Sequence, residues 1–469
     1  MTISEKSFQD SSLDKMSLLN NTKRMVKSGT VVGGAVARAT WRKLSPHSLQ
    51  TGSLQEDAEK LKKSLGELRG PLVKVAQLLA SIPGLLPEDY IKELSELQTQ
   101  APAMGWGFVQ RRMRGELGEN WQRYFGSFDR EACNAASLGQ VHKAVLINEK
   151  QVACKLQYPG MDKSISSDLL QLKTLFGLYS FFDGAIKQDQ VYKELEDRLK
   201  EELDYRREAA NLVLFGYVFR ANPYVHVPRP AKKISTHRLL VMEWLEGISF
   251  SEFLKKNPSL EERNQAAREL FKAWYYPFYH FGILHGDPHS GNYGIREDGG
   301  VNLFDLGSVR VFPPKFVQAV VQLYRAVKEK DRFKIVQAYK VWGFKGLNDE
   351  VVEALNAWSS FFFRPFLIEG DHSLEETNSA EAAHEVLENV YATLKKGGGV
   401  TLPREFVLLD RSALGLGGAF LRLGASLDWK KLFEEEIQDF SLEKLEISQN
   451  EALCAAGLRV QDGEVSFIS

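Results

Sequence analysis

The chain has 469 residues, 43% hydrophobic and 26% charged, an ordinary balance for a soluble globular protein and enough length for two lobes with additional helices. Sixty Lys and Arg side chains against sixty-one Asp and Glu leave a net charge of −1, which argues against a strongly basic nucleic-acid-binding domain. Cys133, Cys154 and Cys454 have neither CxxC nor metal-ligand spacing and read as reduced thiols of a cytosol-like compartment.

Residues 1 to about 20 are polar, and Glu5, Asp10 and Asp14 argue against a signal or transit peptide. From Met16 to Gln55 there are six basic residues and no acidic one, around the small apolar run Gly29 to Ala37. Two readings stay open for this segment: lying on an anionic membrane surface, or packing on the main body through its small residues. Leu65, Leu68, Leu72, Val75 and Leu79 then recur at three- and four-residue steps, which predicts an amphipathic helix. Pro83, Gly84 and Pro87 end it, and a second helix is expected over Glu88 to Gln98. No run of ~18 uninterrupted apolar residues exists, so no transmembrane helix is expected. The longest candidate, Ala413 to Ala425, is short and contains Arg422.

The texture changes after Gly126. Val141–Ile147 and Val152–Gln157 are apolar and β-branched runs joined by Asn148 to Gln151, the pattern of a hairpin. Asp162 to Phe219 has helical periodicity, and strand-like runs follow at Val225–Val227 and Arg238–Glu243. From Ser251 onward helical patterns dominate, interrupted by a compact loop at His285 to Phe304 and, in the tail, by a polar stretch from Glu369 to Glu385. Strands early and helices late predict a small sheet lobe and a larger helical lobe.

The densest chemistry lies in His285-Gly-Asp-Pro-His-Ser-Gly-Asn292, followed by Leu303-Phe-Asp-Leu-Gly307. Asp287 and Asn292 stand five residues apart in one loop, and Asp305 follows thirteen residues after Asn292, at the end of a strand over Val301 to Phe304. Phosphoryl transfer asks a protein for this: a carboxylate near the attacking hydroxyl or water, and a few oxygen ligands that hold magnesium against phosphates. His285 and His289 flank Asp287, but Gly286 and Pro288 preclude the helix that would align them as metal ligands, which favours a structural role for both. Lys155 lies inside the apolar run Val152-Ala-Cys-Lys-Leu-Gln-Tyr-Pro-Gly160. Alone it reads as a lysine snorkelling from a strand edge, and in a kinase-like lobe it would meet the α- and β-phosphates of ATP. Ala135-Ala-Ser-Leu-Gly-Gln140 leads into the first hairpin strand. It is compatible with a phosphate-cradling loop, stiffer than a glycine-rich one, or with an ordinary turn between helix and strand.

Taken together these motifs resemble the UbiB-like (aarF-type) atypical kinases over about residues 60 to 430. The family's alanine-rich loop is similar to Ala135, Ala136, Ser137, Gly139 and Gln140, its ATP lysine to Lys155, its catalytic loop to Asp287 and Asn292, and its magnesium aspartate to Asp305. Two features set the family apart from ordinary protein kinases. A lysine–glutamine motif appears as Lys74-Val-Ala-Gln77, and a Glu-x-Asp motif as Glu202-Leu-Asp204. The pattern departs from the family at Ala76, Asn134 and Ser290, where glycine, alanine and proline are usual.

The resemblance implies an α+β, atypical protein-kinase-like two-lobe fold, with a small antiparallel β-sheet N-lobe, a helical C-lobe and added N- and C-terminal helices. The implied divisions are an N-terminal extension over 1–55, a helical extension over 56–125, an N-lobe over 126–245, a C-lobe core over 246–345 and a C-terminal helical part over 346–469. It assigns catalysis to Asp287 and Lys155, magnesium to Asn292 and Asp305, and nucleotide contact to the alanine-rich loop, Lys155, Glu208, Glu243, Lys74, Gln77, Glu202 and Asp204. Glu208 fits best as the partner of Lys155, with Glu194 and Glu201 as alternatives.

The implied activity is that of an Mg²⁺- and ATP-dependent ATPase or small-molecule kinase that supports biosynthesis of ubiquinone or another isoprenoid quinone lipid. Expected partners are ATP, anionic lipids or quinone precursors, a second copy of the chain or quinone-biosynthesis proteins, and no nucleic acid. The expected location is cytoplasmic and peripheral to a membrane, bacterial rather than mitochondrial. A protein kinase is the alternative, weakened by the absence of GxGxxG and by Pro313-Pro314 soon after Asp305. A nucleotide-binding scaffold is weakened by the presence of Lys155, Asp287, Asn292 and Asp305 together.

Overall fold

The computed structural model describes residues 103–135, 138–161, 200–376, 386, 389–390, 392–393, 404–461 and 463–468. Lys74 and Gln77, the basic segment 16–55, the two helices expected before residue 99, Ala136, Ser137, Glu194 and residues 377–385 of the polar stretch lie outside them. The chain divides into one unit of residues 1–204 with 237–239, and a second of residues 205–236 with 240–469.

In the first unit, helix α1 (Trp106–Leu117) buries Phe108, Val109 and Met113, the last two one turn apart on one face. Four strands follow: β1 (Phe125–Phe128), β2 (Asn134–Ala135), β3 (Gly139–Leu146) and β4 (Gln151–Gln157). β3 pairs antiparallel with all three others, and its register with β4 sets Val141 opposite Lys155 and His142 opposite Cys154. The expected hairpin is present. The start of the alanine-rich run is not a helix-to-strand turn: Asn134 and Ala135 form a strand folded back on β3, with Ala135 opposite Gln140.

The base of that run is locked by Gln140, which is fully buried. Its Oε1 accepts from Met104 N (2.7 Å), and its Nε2 donates to Met104 O (3.0 Å) and to His142 Nε2 (2.8 Å). His142 Nδ1 in turn donates to the Asp129 carbonyl (2.8 Å), which can only accept and so fixes the tautomer. Every proton of the Gln140 amide is consumed inside the protein.

The second unit opens with helix α2 (Tyr205–Val218), then β5 (Val225–His226), β6 (Leu239–Glu243, its first residue counted with the first unit), β7 (Ile248–Ser249) and the short helix α3 (Phe250–Lys255). Helix α4 (Leu260–Phe281) follows, with β8 (Ile283–His285), β9 (Tyr293–Ile295), β10 (Val301–Leu303) and β11 (Val309–Val311) after it. α4 starts at a capping box, Ser259 with Glu262, and stops at Gly282, whose φ of 62° suits the left-handed residue past a helix end. Its inward face, including Leu270, Phe271, Trp274 and Phe278, recurs at helical spacing. β8 and β11 form one antiparallel ribbon, and β5, β10, β9 and β7 a second sheet in that order. The stretch expected as an irregular loop over 285–304 therefore contains a strand at Tyr293–Ile295, held by pairing to both β10 and β7.

Helices α5 (Pro314–Glu329), α6 (Arg332–Trp342) and α7 (Asp349–Phe363) come next, then β12 (His372–Ser373), α8 (Arg404–Leu423), β13 (Ser426–Leu427), α9 (Trp429–Ile437) and α10 (Leu442–Ala455). The chain closes on a hairpin, β14 (Leu458–Gln461) with β15 (Glu464–Phe467), where only helix was expected. Gly463 turns it with φ of 80°, a conformation that glycine adopts without steric cost. Among the described residues no helix is long and apolar enough to cross a membrane. The three cysteines are free thiols, and burial raises the pKa of Cys154.

His285 is the second fully buried histidine. Its ring stacks on Trp274 (centroids 5.2 Å apart, 12° between planes), and its Nδ1 accepts from Asp287 N (3.3 Å). Burial lowers the pKa of both His142 and His285 below the ordinary value of 6.5, so both rings stay neutral in the folded chain. The unfolded chain protonates them near that value and binds more protons at lower pH, so their contribution is full above it and is lost as pH falls. The expected outcome is a Tm that falls as the buffer is taken from about pH 7.5 to about pH 5.5, read by thermal denaturation. A Tm that holds or rises across that window contradicts the two neutral rings.

Candidate active site

In the second unit the loop from β8 to β9 carries Asp287 and Asn292, and Asp305 follows β10 directly. Asn292 Nδ2 donates to the Asp287 carbonyl (3.1 Å) and Asn292 N to the His289 carbonyl (2.9 Å), which closes the loop on itself. Phe304 N donates to the Asn292 carbonyl (2.7 Å), which ties the residue before Asp305 to the same loop. Asp287, Asn292 and Asp305 are thus held as one set by backbone geometry. Asp305 has φ 45° and ψ 68°, a left-handed conformation that costs a non-glycine residue about 1–3 kcal/mol, and its Oδ1 accepts from Gly307 N (3.4 Å).

The donor chemistry fits a hard divalent cation. Because Asn292 Nδ2 is turned toward a carbonyl, its Oδ1 points the other way and has no hydrogen bond among the described residues. One amide oxygen and two carboxylates are too few to enclose a metal, and no described cluster of three or more His, Cys, Asp or Glu could do so. Such a set suits magnesium, which keeps few protein ligands and completes its shell with phosphates and water.

Buried side chains hold the loop from behind. Trp274 Nε1 donates to the His285 carbonyl (3.1 Å), and Phe215 of α2 meets the His285 ring edge-on at 6.3 Å. Gly286 N donates to Ser308 O (2.9 Å), and a Cβ at Gly286 would lie 2.5 Å from that oxygen, so glycine is required for the approach. Gln449 of α10 donates to the carbonyls of Phe281 (3.0 Å) and Phe312 (2.9 Å), joining the strands on either side. On α2, Asn211 Nδ2 donates to the Leu306 carbonyl (2.7 Å), which anchors the turn after Asp305. Glu208 stands one helical turn before Asn211 and is only 3% exposed. Sequence reasoning missed Asn211, Trp274 and Gln449. Asn211 and Trp274 left a signal as large or polar residues on buried helical faces, whereas Gln449 is 137 residues from the Phe312 carbonyl it holds and left none.

In the first unit Lys155 is half-buried in β4, and Gln157, two residues on and so on the same side of the strand, is 1% exposed. Gln157 Nε2 donates to the Leu203 carbonyl (2.9 Å), which brings Glu202-Leu203-Asp204 to the strand of Lys155. Asp204 Oδ1 is bonded to His237 Nδ1 at 2.9 Å. Arg112 fixes the strand end through the carbonyls of Gln157 (2.9 Å) and Tyr158 (3.1 Å). Gly139 is buried at the start of β3, and the protons of the Gln140 side chain go to Met104 and His142. In the second unit Glu243 closes β6, exposed, with its N–H donating to the Arg229 carbonyl (2.9 Å).

Residues 96–339, just over half of the chain, match the ABC1 atypical kinase-like domain. The rat mitochondrial atypical kinase COQ8B is 28% identical over 87% of this chain and 78% of its own length. The chloroplastic protein ACTIVITY OF BC1 COMPLEX KINASE 8 of Arabidopsis thaliana is 30% identical over 64% of this chain, which spans only 41% of that protein. The solved structure of the Rv3197–erythromycin complex from Mycobacterium tuberculosis is similar with a TM-score of 0.59 at 26% identity, covering 82% of this chain and 96% of that one. The fold is kinase-like, with an antiparallel sheet followed by helices. The chain belongs to the ABC1 atypical kinase-like family, the UbiB-like family that its motifs resemble.

Proposed function

We propose that this chain binds Mg²⁺-ATP and transfers or hydrolyses its terminal phosphoryl group. The observation that carries this reading is the closed set of Asp287, Asn292 and Asp305, with the Asn292 side-chain Oδ1 turned out of the loop by the hydrogen bond of its Nδ2. In this reading Asn292 Oδ1 and the Asp305 carboxylate hold magnesium, which neutralises phosphate charge when bound. Asp287 orients the attacking hydroxyl or water and accepts its proton. Lys155 contacts the α- and β-phosphates. The alanine-rich loop covers the nucleotide through backbone N–H groups, since the Gln140 protons are spent elsewhere. The family resemblance assigns Lys74 and Gln77, with Glu202 and Asp204, to restricting access where a protein substrate would sit, and Glu243 to nucleotide contact.

The acceptor we assign is water or a lipid-like precursor of an isoprenoid quinone, handled at a membrane surface. The family resemblance and the COQ8B relative support this assignment, and the basic segment 16–55 supplies charge suited to an anionic surface. The test is Mg²⁺-dependent ATP hydrolysis by the full chain, with and without anionic vesicles, beside Asp287→Asn. The expected result is hydrolysis that vesicles stimulate and that falls about 10²–10⁴-fold in the variant, while nucleotide still binds. Wild-type-like hydrolysis by the variant contradicts the role of Asp287. Nucleotide binding without hydrolysis or transfer under any condition contradicts the enzymatic reading and favours a scaffold.

Asn211→Leu gives a second check. It leaves the Leu306 carbonyl without its partner, at about 1–3 kcal/mol of stability. It is expected to weaken Mg²⁺-dependent nucleotide binding measured by calorimetry. Unchanged affinity would show that the turn after Asp305 takes no part in binding.

A further inference from the structure

Helix α8 rests on the loop that carries Asp287 and Asn292. A Cβ added at Gly415 would lie 2.4 Å from Pro288 Cγ, 3.3 Å from its Cβ and 3.6 Å from its Cδ, so the helix backbone lies directly against the proline ring. Glycine inside a helix is less stable than alanine, and Gly415 has no positive φ that would require it. Gly417 and Gly418 lie in the same helix, and a Cβ there would meet nothing within 4 Å. Of these three glycines, Gly415 is the one whose missing side chain is demanded by a neighbour, and that neighbour is covalently next to Asp287.

α8 touches the loop again two turns later. Arg422 Nη1 donates to Ser290 Oγ at 3.5 Å, with its guanidinium 5.0 Å over the Phe250 ring. The Pro288 ring can change pucker but, being closed on its own backbone nitrogen, cannot swing away from the helix. Its ring nitrogen belongs to the peptide of Asp287, whose carbonyl accepts from Asn292 Nδ2, and the following His289 carbonyl accepts from Asn292 N. A push on the ring therefore reaches both Asp287 and Asn292.

We infer that Gly415 is a positioning residue: its bare backbone lets α8 seat Pro288, and that seat sets Asp287 and Asn292 relative to Asp305. The inference rests on the reading of this loop as catalytic, and the experiment separates the two. Full-length Gly415→Ala and the control Gly417→Ala are compared with wild type by hydrogen–deuterium exchange over residues 283–293 and by Mg²⁺-ATP hydrolysis. Gly415→Ala is expected to exchange faster in this segment and to lose about 10–100-fold in kcat, with a raised KM for ATP because Asn292 shifts with Asp287. Gly417→Ala should match wild type in both, with an equal or higher Tm.

Pro288→Ala added to Gly415→Ala removes the ring that the new methyl would strike. In that background the Gly415→Ala effect on exchange should shrink, a coupling that a general loss of helix stability does not produce. If Gly415→Ala does not fold, the double variant must fold for the seat to stand. Unchanged exchange in Gly415→Ala overturns the seat, whether or not the wild type hydrolyses ATP. Faster exchange with unchanged kcat overturns the positioning role and counts against the loop as the catalytic one.

Discussion

One hydrogen bond organises the second unit: the Asn292 side-chain amide donating to the Asp287 carbonyl across a short loop. It does two things at once. It fixes the loop that carries the carboxylate, and it fixes which end of the Asn292 amide faces outward. An asparagine free to flip would present either a donor or an acceptor, and only the acceptor can bind a cation. With Phe304 N on the Asn292 carbonyl, the loop and the turn after β10 become one piece, so the two carboxylates and the amide cannot drift apart independently. Positioning of this kind matters more in phosphoryl transfer than covalent chemistry does, because the protein contributes mainly geometry and charge.

That piece is held by groups that carry no chemistry themselves. Asn211, Gln449 and Trp274 each donate to a main-chain carbonyl next to the loop or turn. His285 accepts from the Asp287 N–H and stays neutral because it is buried. Each is buried, and each would leave a carbonyl or amide unsatisfied if replaced by an apolar residue, at a cost of about 1–3 kcal/mol. Their net effect on stability is modest, but they make one loop geometry much cheaper than its competitors. The first unit uses the same device: Gln157 holds the backbone of Glu202-Leu203-Asp204, and Gln140 holds the base of the alanine-rich run. Glutamine and asparagine suit this work because one amide can donate and accept without bringing a charge into the core.

Much of this was legible in the residues alone. The hairpin carrying Lys155 follows from two apolar runs around a polar turn, and the helices after Ser251 from their helical patterning. Asp287, Asn292 and Asp305 stand out because their spacing is unusual even though each residue is common. The helical reading of the C-terminal part missed β14 and β15, although Asp462-Gly463 is a hairpin signal; the helical context outweighed two short strands. The strand Tyr293–Ile295 was hidden because three residues are too few for periodicity to register. Gln140, assigned to nucleotide contact by motif, has its side-chain amide bonded to Met104 and His142, a detail that a motif does not carry because it gives residue types and not the direction in which a side chain points. Gln449 and Gly415 were out of reach for another reason: their partners are over a hundred residues away in sequence, and local pattern carries no trace of them.

In the proposed mechanism Asn292 and Asp305 form one half-built cation site, completed by the phosphates of a nucleotide. Electron paramagnetic resonance of Mn²⁺, used in place of magnesium, tests it most directly in the full chain. Mn²⁺ with ATP is expected to be immobilised by the wild type, Mn²⁺ alone or with adenosine is not, and Asp305→Ala should leave the Mn²⁺-ATP spectrum as it is in solution. A bound spectrum that persists unchanged in Asp305→Ala, or tight Mn²⁺ binding without nucleotide, would contradict it.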